Sequence, residues 1–196
     1  MKKVVFLMSH IGSGSNALYS LLASHPRIMG LENENVYDSQ ISLIAAAERK
    51  HKLNNASRIY LDHILYNFQY SLRPDPWIRM VFLAREPEGS IDYMVNRKIF
   101  KKSEAKRYYL YRMRRMCELA KRNPNSIFLT YSKIREGRGL SELRDYLELK
   151  ENLSFSQDFN LPSGKSCLQL NEYESLSTAY EKYIYYVGKV GAMCIT

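Results

Sequence analysis

Apolar residues along this chain gather in short runs that mostly lack alternation with polar ones. Residues 4–8 read Val-Val-Phe-Leu-Met and residues 78–84 read Ile-Arg-Met-Val-Phe-Leu-Ala, with shorter runs at 27–31, 58–61 and 126–130. Runs of strand length without a polar face predict β-strands covered on both sides, as in a parallel sheet. Between them the spacing predicts helices over 16–24, 37–52, 63–72, 87–100, 103–121, 140–147 and 172–190. Strands alternating with helices predict an α/β fold with an open, mostly parallel sheet flanked by helices. Ligands of such sheets bind beyond the carboxyl ends of the strands. The 196 residues suit a sizeable core, and no repeat, linker or low-complexity tract divides them, so residues 1–196 are expected to form a single domain.

The first strand runs into Ser9-His10-Ile11-Gly12-Ser13-Gly14-Ser15-Asn16. Two glycines and three serines leave a row of backbone N–H groups unshielded, ahead of a helix whose N-terminus carries about half a positive charge. Together these features suit an anion. The alternative is a plain turn with Ser15 or Asn16 as the helix N-cap. The GxxxxGK[ST] pattern is absent, since Ser15 and Asn16 follow Gly14 with no lysine. That counts against an ATP- or GTP-dependent kinase or hydrolase.

A second feature lies at the carboxyl end of the run over 78–84. Arg85-Glu86-Pro87 follows it, with Pro87 suited to a first helical turn and Gly89, Ser90 and Tyr93 behind. Arg85 would project on the ligand side of the sheet, where its fork can clamp a phosphate. The competing reading is a surface arginine paired with Glu86 or Glu88.

With these residues in view, the chain resembles the sulfotransferases that use 3′-phosphoadenosine 5′-phosphosulfate (PAPS). SHIGSGSNALYSLLASHPRI is similar to their 5′-phosphosulfate loop, normally a Lys/Arg-Ser-Gly-Ser/Thr-Thr core before a helix, and MVFLAREPEGSIDYMV resembles their 3′-phosphate motif. IYLDHILYN fits the Asp-Lys-x-x-x-Asn segment between them, with His63 in place of lysine, and IFLTYSKIREGRGLSELRDYLEL fits the strand and helix that close the core. The likeness runs in order over about residues 2–149. It implies a P-loop nucleotide-binding-like fold, PAPS as the sulfate donor and no metal. By position, Gly12, Ser13, Gly14, Ser15 and Asn16 would line the 5′-phosphosulfate site. Arg85 would bind the 3′-phosphate with Tyr93 or Ser90 as its helix partner, and Tyr131 would lie against the adenine. Gly12 stands where the family has its loop cation, so His10, His63 or a lysine of the basic segment would have to supply the charge. A lysine restored at position 12 is then expected to raise turnover or leave it similar. Residues 163–166, Ser-Gly-Lys-Ser, are a candidate for the element completing the nucleotide site.

Transfer to an alcohol needs a general base, for which His63 and Glu32 are the candidates; Glu34 lies beside the second. The net charge of +9 resides wholly between Arg97 and Arg122, where 11 basic residues meet Glu104 and Glu118. That segment suggests a polyanionic substrate or partner. Its interleaved Arg and Tyr could contact nucleic acid, but no recognised nucleic-acid module accompanies them. The acceptor is expected to be a small molecule, glycan or peptide, anionic in the case the charge favours. Three cysteines without ligand spacing, no membrane-length apolar run and no clear signal peptide fit a cytoplasmic protein. The alternative function is a catalytically silent nucleotide- or polyanion-binding protein of the same fold.

Overall fold

The computed structural model of the chain describes residues 3–30, 59–64, 78–123, 125–155, 168 and 170–193. The predicted helix over 37–52, the acids Glu32 and Glu34, and the Ser-Gly-Lys-Ser stretch lie outside the described residues. In chain order the elements are β1 (Lys3–Ser9), α1 (Ser15–Ala23), β2 (Ile28–Gly30), β3 (Ile59–Ile64), β4 (Ile78–Ala84), α2 (Pro87–Asn96), α3 (Lys102–Arg122), β5 (Ser126–Thr130), α4 (Tyr131–Arg135), α5 (Arg138–Leu147) and α6 (Leu170–Met193).

The five strands form one parallel sheet in the order β2-β3-β1-β4-β5. Successive β1 side chains divide between two cores. Val4, Phe6 and Met8 join Met80, Phe82 and Phe128 beneath α2, α3 and α6, where Tyr109, Met113, Met116 and Tyr183 pack. Val5 and Leu7 join Val81, Leu83 and Leu129 beneath α1, α4 and α5, where Leu18, Leu22, Leu140 and Leu143 pack. Both faces being covered, no strand needs a polar side, which is why the runs lacked alternation. Phe82 stacks on Phe128 with ring centroids 4.9 Å apart, and the buried Tyr183 hydroxyl donates to the Leu129 carbonyl at 3.1 Å. Among the described residues, no helix is long and apolar enough to cross a membrane.

Two boundaries differ from expectation in a way that matters below. The third strand continues through His63 and Ile64, where a helix was expected to start, because β1 extends the parallel ladder as far as the Met8–Ile64 pair. The helix expected over 87–100 stops at Asn96. Lys98 then takes a left-handed φ of 54°, and the amides of Arg97 and Ile99 bond back to the Tyr93 and Met94 carbonyls.

The strand order positions the site. From β1 the chain passes to β2 and β3 on one side of β1, then returns to β4 on the other. The loops after β1 and β4 therefore diverge from adjacent strands and leave a crevice between them, where open α/β sheets bind ligands.

Candidate functional site

The β1–α1 loop forms one wall of this crevice. Gly12 and Gly14 adopt φ of 82° and 87°, left-handed values that an L side chain would strain. Gly14 is itself the N-cap of α1 and no side chain caps the helix, so neither Ser15 nor Asn16 plays the role the plain-turn reading required. A cap without a side-chain acceptor leaves the first-turn N–H groups available to an anion. Ser13 is wholly buried, and its hydroxyl has no hydrogen-bond partner among the described residues. A buried orphan hydroxyl calls for an explanation, and a bound anion would supply one. Ser15 is buried beside it and Asn16 is exposed. A Cβ on Gly12 would lie 3.2 Å from the Ser90 carbonyl oxygen and from Tyr93 Cβ, so only glycine lets the loop lie flat on α2.

Arg85, at the end of β4, forms the opposite wall and is 3 % exposed. Its guanidinium lies over the Tyr131 ring, 4.5 Å from the centroid, and Nη1 donates to the Gly12 carbonyl at 3.4 Å. The other side of the guanidinium rests on Gly89, where a Cβ would come within 2.4 Å of Nε. Arg85 is also paired with Glu86 at 3.1 Å, the partner the competing reading named. Of the two candidate helix partners, Ser90 turns its hydroxyl to the Glu86 carbonyl at 2.9 Å. Tyr93 packs on Gly12 with Arg97 over its ring. The sequence-predicted residues Gly12, Ser90, Tyr93, Arg85 and Tyr131 are therefore neighbours, although they come from three separate segments.

One histidine fastens the two walls, and a second lies behind the end of β1. His10 accepts a hydrogen bond at Nε2 from the Arg85 amide at 3.0 Å, so its proton is on Nδ1, which donates to the Ile11 carbonyl at 3.0 Å. Burial holds this imidazole down to about 4, neutral near pH 7, so His10 is not a cation there. His63 stacks on Tyr19 and meets the Ser9 hydroxyl at 3.1 Å through Nε2. Burial, and then the nearby Arg112 charge, lower it to about 4 as well. The adjacent Asp62, whose carboxylate accepts from the His63 amide at 2.8 Å, is raised to about 6 by burial.

The sequence reading missed Arg112. This arginine of α3 is 1 % exposed and directs Nε and Nη2 to the Ser9 carbonyl at 3.1 and 2.5 Å. Its neighbours on the helix do related work: the Tyr108 hydroxyl accepts from the Ile11 amide at 3.2 Å, and the Tyr109 hydroxyl donates to the Arg85 carbonyl at 2.9 Å. The Tyr-rich basic run is thus turned partly inward, onto both walls of the crevice. A signal was present: positions 105, 109, 112, 116 and 119 recur at helical spacing, and Arg112 falls within that buried stripe. No group of His, Cys, Asp and Glu placed to hold a metal occurs among the described residues.

No protein-family model and no curated protein matches the chain. Among solved structures, the crystal structure of a sulfotransferase from Alicyclobacillus acidocaldarius is similar over 97% of this chain and 96% of that one. The TM-score is 0.59 and the sequence identity 11%, a likeness that establishes the fold.

Proposed function

We propose that the chain is a sulfotransferase that moves a sulfuryl group from PAPS to a hydroxyl or amine of a small molecule, glycan or peptide. The observation that carries this reading is the meeting of the Ser9–Asn16 loop with Arg85 at the β1–β4 crevice, the guanidinium held between Gly89 and Tyr131. The residues fit a nucleotide bearing two anionic ends. The Ser13 hydroxyl, the Ser15 region and the open amides of α1 suit the 5′ end, Arg85 suits the 3′-phosphate, and Tyr131 offers a ring beside it.

The donor supplies the sulfuryl group. The acceptor atom bonds to sulfur as the sulfur–oxygen bond to the 5′-phosphate breaks, its electron pair staying on the phosphate. The acceptor's proton passes to a base. His63 and Glu32 remain the proposed bases. Asp62 joins them on structural grounds, because a carboxyl near 6 is better matched to neutral pH than an imidazole near 4. Positioning and charge stabilisation by fixed dipoles are the protein's main contributions to such a step.

The test compares 3′-phosphoadenosine 5′-phosphate with adenosine 5′-phosphosulfate, which lacks the 3′ anion, by calorimetry. Arg85→Ala should weaken the first about 10- to 150-fold, the loss of a charge-assisted contact, and leave the second nearly unchanged. A parent that binds neither nucleotide at about millimolar concentration refutes the proposal. The second reading, a silent nucleotide-binding module, is favoured by the absence of a cation at Gly12; binding without transfer of labelled sulfate to any acceptor would select it.

A further inference from the structure

We propose that His10, backed by Tyr109, sets the spacing between the loop and Arg85: a pair of positioning residues that makes the crevice select a nucleotide 3′,5′-bisphosphate over its 2′,5′ isomer. The ligand class rests on the proposed function above; the spacer rests on hydrogen bonds of the fold itself.

The last ladder pair between β1 and β4 is Ser9–Leu83. Beyond it the strands part, and the Arg85 amide meets a ring nitrogen of His10 in place of a strand carbonyl. A neutral imidazole carries one donor and one acceptor on different atoms of a rigid ring. His10 directs each to the backbone of a different wall. Nε2 accepts from the Arg85 amide, and Nδ1 donates to the Ile11 carbonyl just before Gly12, both at 3.0 Å. The separation of the two walls at this level is therefore set by the width of one ring.

Tyr109 fixes the same arginine from α3. Its hydroxyl donates to the Arg85 carbonyl at 2.9 Å, and its ring meets the His10 ring edge to face with centroids 5.0 Å apart. Both backbone polar groups of Arg85 are thus held by side chains that touch each other. His10 and Tyr109 are wholly buried, so water does not compete for these bonds. With its backbone fixed in this way and its guanidinium seated between Gly89 and Tyr131, Arg85 addresses one position relative to the loop. The 2′ and 3′ oxygens of a ribose lie on adjacent carbons and leave the ring in different directions. An arginine held in place resolves that difference, and one free to drift follows either phosphate.

The test measures the affinities of 3′-phosphoadenosine 5′-phosphate and of adenosine 2′,5′-bisphosphate by calorimetry and takes their ratio. The two probes have the same charge and the same 5′ end, so general damage to the loop cancels in the ratio. His10→Asn can keep the bond to Ile11 but cannot reach the Arg85 amide. His10→Gln can place Oε1 where Nε2 was and still accept from that amide. Tyr109→Phe removes a single oxygen, and Tyr111→Phe makes the same change on an exposed tyrosine of α3. The parent should prefer the 3′,5′ isomer, and the ratio should fall about fivefold or more in His10→Asn and Tyr109→Phe. It should stay within about twofold of the parent in His10→Gln and Tyr111→Phe. A parental ratio in a folded His10→Asn or Tyr109→Phe overturns the inference, as does an equal fall in His10→Gln or a parent that binds both isomers alike. If His10→Asn does not fold, Tyr109→Phe decides by the same ratio. Transfer of labelled sulfate from PAPS separates this inference from the proposed function. A parent with a His10-dependent ratio and no transfer refutes the transferase reading and leaves the spacer standing. A parent that transfers sulfate while its variants keep the parental ratio refutes the spacer alone, and a parent that binds neither bisphosphate refutes both.

Discussion

Gly89→Ala should separate the seat of Arg85 from the fold that carries it. Gly89 lies in the first turn of α2, and a methyl group there would lie 2.4 Å from Arg85 Nε, 2.6 Å from Nη2 and 2.7 Å from Cζ. Each of those atoms is at the far end of a flexible side chain, so the guanidinium should swing away while the helix stays. The displaced group loses its place over Tyr131, worth about 0.5–2 kcal/mol, and a partly exposed pair with Glu86 worth about 0–1 kcal/mol. Alanine returns up to about 1 kcal/mol of helix propensity. The net change in stability is therefore a loss of no more than about 3 kcal/mol, or a fall in Tm of at most about 12 °C for a chain of this size. Affinity for 3′-phosphoadenosine 5′-phosphate should fall much further relative to its start, by about 10- to 150-fold, because the arginine proposed to read the 3′ end is no longer aimed at it. Adenosine 5′-phosphosulfate should lose little. Thermal melts and calorimetry on the same samples decide the matter. Parental affinity for the 3′-phosphorylated nucleotide in the folded variant would show that the Gly89 seat does not aim Arg85 at a ligand.

Gly12→Lys, attractive from sequence as a restored cation, should instead destabilise the protein by about 1–3 kcal/mol without speeding transfer, because position 12 needs a φ of 82° and has the Ser90 carbonyl 3.2 Å from a would-be Cβ. Faster sulfate transfer at unchanged Tm would contradict that. Acid should also weaken the fold. His10 and His63 titrate in the folded state near 4 against an ordinary 6.5, so the unfolded chain takes up protons first and stability drops as pH falls from about 6.5 to 4, by at most about 3 kcal/mol for each. Asp62, raised from 3.8 to about 6, binds its proton first in the folded state and offsets part of the loss over that lower range. The urea midpoint of the parent should accordingly be lower at about pH 5 than at about pH 7, with a smaller difference in His63→Gln; equal differences in the two proteins would show that His63 titrates normally.

Much of this molecule is written locally in the chain. Short apolar runs with little alternation announced a sheet covered on both faces, because burial on two sides leaves neither face of a strand turned to water. The glycines at 12 and 14 and the Arg-Glu-Pro after residue 84 announced the two walls of the crevice, because left-handed backbone and a proline-led helix each restrict which residues fit. What periodicity could not reveal was pairing across distance. That His63 belongs to a strand follows from the ladder β1 offers it, and which His10 nitrogen carries the proton follows from an Arg85 amide 75 residues away. Arg112 is the clearest case. On its own helix it reads as one more charge in a basic run, and only the packing of α3 across the end of β1 turns it inward onto Ser9. Sequence pattern records which faces are buried; tertiary structure decides what a buried charge faces, because electrostatic energy depends on distance through space and not along the chain.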